Sequence, residues 1–296
     1  MFHGSIVALV TPFKDDKVDE AKIKELIDFQ VRNGTQGIVP CGTTGESPTL
    51  SHEEHQRVVE ICIEATAGRV PIIAGTGSNS TAEAISLTKH AAKAGAQAAL
   101  VVTPYYNKPS QEGIFRHFKA IAESVDIPII LYNIAGRTAR NIETPTVVRL
   151  VHNCKNIIGV KEASGSLDQM QDVIQQCPKN FILLSGDDGL TLPVLSIGGV
   201  GVISVLANIV PREVVKLIDA FNRGHLRQAR EQHYFLLPLV KALFIDTNPI
   251  PVKAAMGLLG MCEPDLRLPL CPLSKEHFAK LKGVLDGYSL LAKAAV

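Results

Sequence analysis

One pattern constrains this chain more than any other: short apolar runs alternate with longer amphipathic segments as far as residue 222. The runs at residues 5–10, 37–39, 70–74, 98–102, 128–131, 157–160, 181–184 and 201–205 are rich in Ile, Val, Leu or Ala. That is the composition of strands covered on both faces, as in a parallel sheet. Residues 19–33, 52–67, 81–94, 111–124, 145–152, 167–176, 192–197 and 211–222 carry helical periodicity, and a helix after each strand is the crossover that parallel pairing requires. These units predict an α/β fold, a (β/α)8 TIM barrel, over residues 1–224. A doubly wound open sheet is the alternative. It needs a reversal of strand order and usually a glycine-rich turn after the first strand, where this chain has Thr11-Pro12-Phe13. Beyond residue 223 the strand signals stop, and helices are predicted at 227–244, 251–259 and 275–290. Residues 225–296 are therefore expected to form a C-terminal α-helical domain.

With 30 Lys+Arg against 29 Asp+Glu and 46% hydrophobic residues, the composition is globular and not that of a disordered chain. A net charge of +1 supplies no basic field for nucleic acid or an anionic membrane. A small molecule is the expected partner. The six cysteines are scattered with no CxxC pair and read as reduced thiols of the cytoplasm. Residues 5–10 are too short for the apolar core of an export signal, and no cationic segment precedes them. The uncharged stretch 189–211 could cross a bilayer on count alone, but Pro193, several glycines and Asn208 interrupt it. It is expected to divide into a short helix and a buried strand.

In a barrel of this kind the reactive groups come from the C-terminal ends of the strands. Those ends read Cys41-Gly42-Thr43-Thr44-Gly45-Glu46, Thr103-Pro104-Tyr105-Tyr106-Asn107, Tyr132-Asn133, Lys161-Glu162 and Ser185-Gly186-Asp187-Asp188. They hold no histidine, no paired carboxylates suited to glycoside hydrolysis and no metal-ligand spacing, so neither a metal nor a cofactor is expected. Glycines 75, 77, 198 and 199 read as sites of close packing, not of phosphate binding. Lys161 ends an apolar run, where desolvation would favour a neutral, nucleophilic amine able to form a Schiff base with a ketone. The plain alternative is a lysine that snorkels to water. Lys253 also follows apolar residues, but in the helical extension, away from the predicted barrel mouth. Hydroxyls of Thr43, Thr44, Tyr105, Tyr106 and Tyr132 are predicted on the same rim as Lys161, where they could shuttle protons without a histidine. Gly42 and Gly45 permit a tight turn whose amides could hold a carboxylate.

Gly42-Thr43-Thr44-Gly45-Glu46, Tyr105-Tyr106-Asn107, Tyr132-Asn133, Gly136-Arg137-Thr138 and Gly159-Val160-Lys161-Glu162-Ala163, in that order, resemble the dihydrodipicolinate synthase family of pyruvate-dependent class I aldolases. The resemblance covers nearly the whole chain. It implies condensation of pyruvate with L-aspartate 4-semialdehyde on the route to diaminopimelate and lysine, in a homotetramer built as a dimer of tight dimers. It also implies roles. Lys161 would form the Schiff base, Thr44 would hold the pyruvate carboxylate, and Tyr132 would be the central acid and base. Thr43 would link Tyr132 to Tyr106, the latter supplied by the neighbouring subunit. Arg137 would bind the semialdehyde carboxylate, for which its fork is suited, while Gly186 and Ile203 would line the pocket. Finally, it implies inhibition by L-lysine at a separate site on the tight-dimer interface, made by Ser47, His52, His55, Asn79, Glu83 and Tyr105. Without that resemblance the same segment reads as a solvated helix start, capped by Ser51 with Glu53 and Glu54 at the positive end of the dipole.

The loop Ile134-Ala135-Gly136-Arg137-Thr138-Ala139 departs from the family pattern. It lacks the proline common before the glycine and the glycine common after the threonine, so Ala135 leaves φ free and Ala139 makes a positive φ costly. Sister aldolases, such as N-acetylneuraminate lyase or a 2-keto-3-deoxy sugar acid aldolase, would keep Lys161, Tyr132 and the Gly-Thr-Thr-Gly turn. Arg137 weighs against them, because a polyhydroxylated chain wants hydroxyl partners there. A non-catalytic keto-acid-binding regulatory barrel is the alternative from another class, and the intact set of Lys161, Tyr132, Thr43 and Tyr106 weighs against it.

Overall fold

The structure is a computed structural model and describes residues 2–291. The eight apolar runs form strands β1 (Gly4–Ala8), β2 (Gly37–Val39), β3 (Ile73–Gly75), β4 (Ala98–Val102), β5 (Ile129–Asn133), β6 (Ile157–Glu162), β7 (Ile182–Ser185) and β8 (Gly201–Ser204). They lie parallel in the order β2-β1-β8-β7-β6-β5-β4-β3. The sheet's two edges then meet: an isolated bridge joins Ile38 to Ile72, the Ile38 N–H reaches the Pro71 carbonyl at 3.0 Å, and the Gly75 N–H reaches that of Pro40 at 2.9 Å. Strand order runs round without reversal, so the doubly wound sheet is excluded.

Helices follow the strands as α1 (Glu20–Arg32), α2 (His52–Thr66), α3 (Thr81–Ala94), α4 (Gln111–Ala122), α5 (Thr144–Asn153), α6 (Leu167–Gln176), α7 (Thr191–Ser196) and α8 (Pro211–Asn222). Their starts are set by caps. Asp19, Ser51, Ser80, Ser110 and Ser166 each accept a backbone N–H of the first turn, and Ser51 with Glu54 closes a full capping box. The stretch 189–211 divides as expected into α7, β8 and short 3-10 turns. Among the described residues no helix is long and apolar enough to cross a membrane.

Strand pleating sorts side chains between two layers. Ile6, Ala8, Ile130, Tyr132, Leu184 and Ile203 fill the barrel interior, whereas Val7, Leu9, Ile129 and Leu131 face the helices. On β6 this alternation is reset by a register shift: Ile129 pairs with Ile157 but Ile130 with Gly159. The irregularity brings Lys161 opposite Tyr132.

The extension forms α9 (Leu226–Leu243), α10 (Ile250–Leu258) and α11 (Lys275–Gly287). Leu236, Leu239, Val252, Met256 and Leu281 belong to the same buried cluster as Val7, Ile23 and Val58, so the extension shares its core with the barrel. A short pair of strands has no counterpart in the sequence reading. Phe13–Lys14 and Lys17–Val18 pair as a short antiparallel hairpin across Asp15 and Asp16, both with φ above +50°.

Candidate active site

Lys161 and Tyr132 are neighbours across β5 and β6, and both are buried. The Lys161 Nζ stands 4.2 Å from the centre of the Tyr132 ring, so the amine and the tyrosine share one spot at the barrel mouth. Gly186, just past β7, lies against the Lys161 stem, and Ile203 on β8 packs into the same interior cluster as Tyr132. Behind Lys161 a polar floor is fully knit. Glu162 accepts from Asn133 Nδ2 at 2.9 Å, Gln169 Nε2 at 3.0 Å and the Ser164 N–H at 2.8 Å, which fixes the end of β6.

Residues 42–46 form the compact turn that the glycines suggested. The Gly45 and Ser47 N–H groups reach the Gly42 carbonyl, and that of Glu46 reaches Thr43. The Thr43 and Thr44 amides are not used within the turn. Thr11, at the end of β1, donates its hydroxyl to the Gly45 carbonyl at 2.7 Å. Thr44 is 2% exposed and accepts from Asn248 Nδ2 at 3.0 Å. Glu46 sits in the left-handed region at φ 53°, a conformation that costs a non-glycine residue free energy unless its surroundings hold it.

Those surroundings correct one expectation. Lys253 does not lie apart from the barrel mouth; its ammonium donates to Glu46 at 2.6 Å and to the Asp265 carbonyl at 2.6 Å, over the Phe13 ring. Both side chains of the pair are fully buried. Burial pulls the Lys253 pKa down from the ordinary lysine value, and the Glu46 carboxylate opposes that pull. Arg267 completes the clamp, its N–H on Glu46 at 3.1 Å and its guanidinium on both oxygens of Glu54 at 2.6 Å. Lys253 thus pins the turn, while Lys161 stands against Tyr132.

A cavity of about 480 Å³ opens over this rim. Thr43, Tyr132 and Arg137 line it together with Ser47, His52, His55, Glu83 and Tyr105, so members of both predicted groups share one depression in the single chain, whereas Lys161, Thr44, Gly186 and Ile203 are not part of its lining. Asn79 lies beside them, its carbonyl accepting from Asn107 Nδ2 at 2.9 Å. Glu83 accepts from the Ser78 hydroxyl and faces His52 Nε2 at 2.6 Å, contacts that hold its carboxyl below the usual range. His55 is buried, with its Nε2 on the Gly75 carbonyl at 2.9 Å and its pKa pushed by burial to about 4. The expected cap is present at the start of α2, whose His52 and His55 also line the cavity.

Tyr106 is not brought to the rim of its own chain: it is 89% exposed and held at φ 70°. Arg137 is anchored through its Nη2 to the Asn248 carbonyl at 3.0 Å. Ala139 takes φ 54° at the end of the short helix Ala135–Thr138, so the loop adopts the costly conformation without the glycine. Side chains at Gly75 and Gly77 would strike Cys41 O and Val102 N at 2.3 Å, which accounts for those glycines by close approach. Among the described residues no three of His, Cys, Asp and Glu converge as a metal site. Sequence reasoning missed Asn248, whose contacts with Thr44 and Arg137 leave no local trace.

The Dihydrodipicolinate synthetase family model matches residues 1–287. A curated 4-hydroxy-tetrahydrodipicolinate synthase from Syntrophus aciditrophicus is 58% identical over 291 residues, covering 98% of this chain and 100% of that one. Two solved structures align with a TM-score of 0.95 at 43% identity and over 98% of this chain. One is the Cyanidioschyzon merolae enzyme with lysine bound, of which 99% is covered. The other is the chloride-inhibited enzyme from Acinetobacter baumannii complexed with pyruvate, of which 100% is covered. A match of this extent, on a barrel with Lys161 and Tyr132 at its mouth, places the chain in the dihydrodipicolinate synthetase family.

Proposed function

We propose that this rim condenses pyruvate with L-aspartate 4-semialdehyde, with Lys161 as the imine-forming residue. The observation that carries the reading is the approach of the Lys161 amine to Tyr132 at the mouth. The neutral amine adds to the pyruvate ketone, and loss of water leaves an imine. Loss of a methyl proton then gives an enamine, whose carbon attacks the aldehyde of the second substrate. The substrate's own amine displaces Lys161 and closes the ring, so one water is released overall. Tyr132 carries protons at each exchange, relayed through Thr43 to a Tyr106 contributed by a neighbouring subunit. An exposed Tyr106 in the isolated chain is what such sharing needs, and it supports assembly as tight dimers within a tetramer. Thr44 and its turn amides hold the pyruvate carboxylate, Arg137 takes that of the semialdehyde, and Gly186 and Ile203 shape the wall. A cytoplasmic setting suits such a biosynthetic enzyme.

Full-length identity to a curated synthase and a pyruvate-complexed relative support this reading over the sister aldolases and the silent barrel. Borohydride added with pyruvate should inactivate the enzyme and label Lys161; a label on Lys253 would contradict the assignment. The lysine-bound relative supports L-lysine as an inhibitor here as well, at Ser47, His52, His55, Asn79, Glu83 and Tyr105. The ligand's ammonium would take the place of His52 on Glu83. Millimolar L-lysine should slow initial rates, and Glu83→Ala should relieve that; inhibition unchanged by the substitution would remove this site.

A further inference from the structure

We infer that Asn248, from the C-terminal extension, is a positioning residue that sets the donor polarity of the Thr44 hydroxyl and anchors Arg137. The inference deepens the reading above and rests on its assignment of Thr44 and Arg137. Asn248 precedes α10 and is 6% exposed. Its side chain and its backbone do separate jobs: Nδ2 donates to Thr44 Oγ1 at 3.0 Å, and the main-chain carbonyl accepts from Arg137 Nη2 at 3.0 Å.

A threonine hydroxyl has one proton and two lone pairs. An amide N–H that occupies a lone pair turns the proton away from itself, leaving it for an anionic acceptor. Turned the other way, the Asn248 amide would accept from Thr44 and consume the proton that a bound carboxylate needs. The Asn248 Oδ1 is buried with no partner, an uncompensated acceptor of the kind that persists where the surroundings hold a group for a purpose. Through the same residue the Arg137 guanidinium is tied down, so the two groups assigned to the two substrate carboxylates share one anchor. Neither contact depends on the other. Replacing the side chain removes the first and keeps the second.

The test is steady-state kinetics of the full-length enzyme with each substrate varied, alongside melting temperatures. Asn248→Ala should raise the KM for pyruvate about tenfold, the worth of one such hydrogen bond, with kcat and the KM for the semialdehyde within about twofold. Asn248→Asp, equal in shape, should raise the pyruvate KM further, because its carboxylate takes the Thr44 proton and repels the ligand. Thr44→Val should match Asn248→Ala, and the double variant should be no worse than Thr44→Val alone. Additive losses in the double variant, or a lower melting temperature with both KM values unchanged, would overturn the inference. An unchanged pyruvate KM in Thr44→Val would instead overturn the assignment of Thr44, and this inference with it.

Discussion

A Cβ at position 186 would stand 2.6 Å from the Ala163 Cβ and 3.1 Å from the Lys161 Cε. The first separation is shorter than real side chains tolerate, and the Ala163 Cβ has no rotamer in which to yield, so the backbone there must shift. Gly186→Ala should therefore move the end of β6 and carry the Lys161 amine off its position. A displacement of about 1 Å can cost on the order of 100-fold in rate, so kcat and the rate of borohydride trapping should fall together, with a lower melting temperature. Trapping at the wild-type rate would show that the stem is not held from this side. At this scale legibility follows chain distance. Lys161 and Tyr132 were readable because strand ends announce themselves as the point where an apolar run meets a polar residue. The bonds from Asn248 to Thr44 and from Lys253 to Glu46 join residues more than 200 positions apart, and no window of sequence holds both partners.

Elements with strong punctuation were read nearly to the residue. Helices α3, α6 and α8 start at Thr81, Leu167 and Pro211 as predicted, because a serine cap or an N-terminal proline marks each start. The hairpin at 13–18 went unread because its strands are two residues long and its turn is Asp15-Asp16 in place of the usual glycine. The bulge on β6 was equally silent, since an extra apolar residue in an apolar strand changes no pattern. The loop after β5 carries a prediction of its own. Ala139 occupies the left-handed region on the exposed surface, where a Cβ costs about 1 kcal/mol or more. Ala139→Gly should stabilise the protein by about 1 kcal/mol in urea unfolding. A loss of stability there would mean that restricting the unfolded chain matters more at this position than relieving the folded one.

Over the whole molecule, acid should loosen the fold through two buried rings. Burial pushes both His55 and His117 from 6.5 to about 4, so between those values each is neutral when folded and takes up a proton when unfolded. The stability they contribute is complete above pH 6.5 and declines as pH falls toward 4, by on the order of 3 kcal/mol for each ring. Proton uptake on urea unfolding near pH 5.5 should be smaller by close to one proton in His117→Gln than in the wild type; equal uptake in the variant would remove His117 from the account. The eight-unit architecture itself was legible because every strand repeats one pattern, whereas a boundary at residue 224 had only the end of that pattern to rest on. The clamp on the turn at residues 42–46 bears on how separable the two parts are. Glu46 belongs to the barrel, and the donors that face it, the Lys253 ammonium and the Arg267 backbone N–H, belong to the extension. Residues 1–224 expressed alone should not fold cooperatively, and a native-like melting transition from them would contradict this. A barrel recombined with a foreign tail would inherit a naked carboxylate in its floor, so the two parts are heritable only as one module.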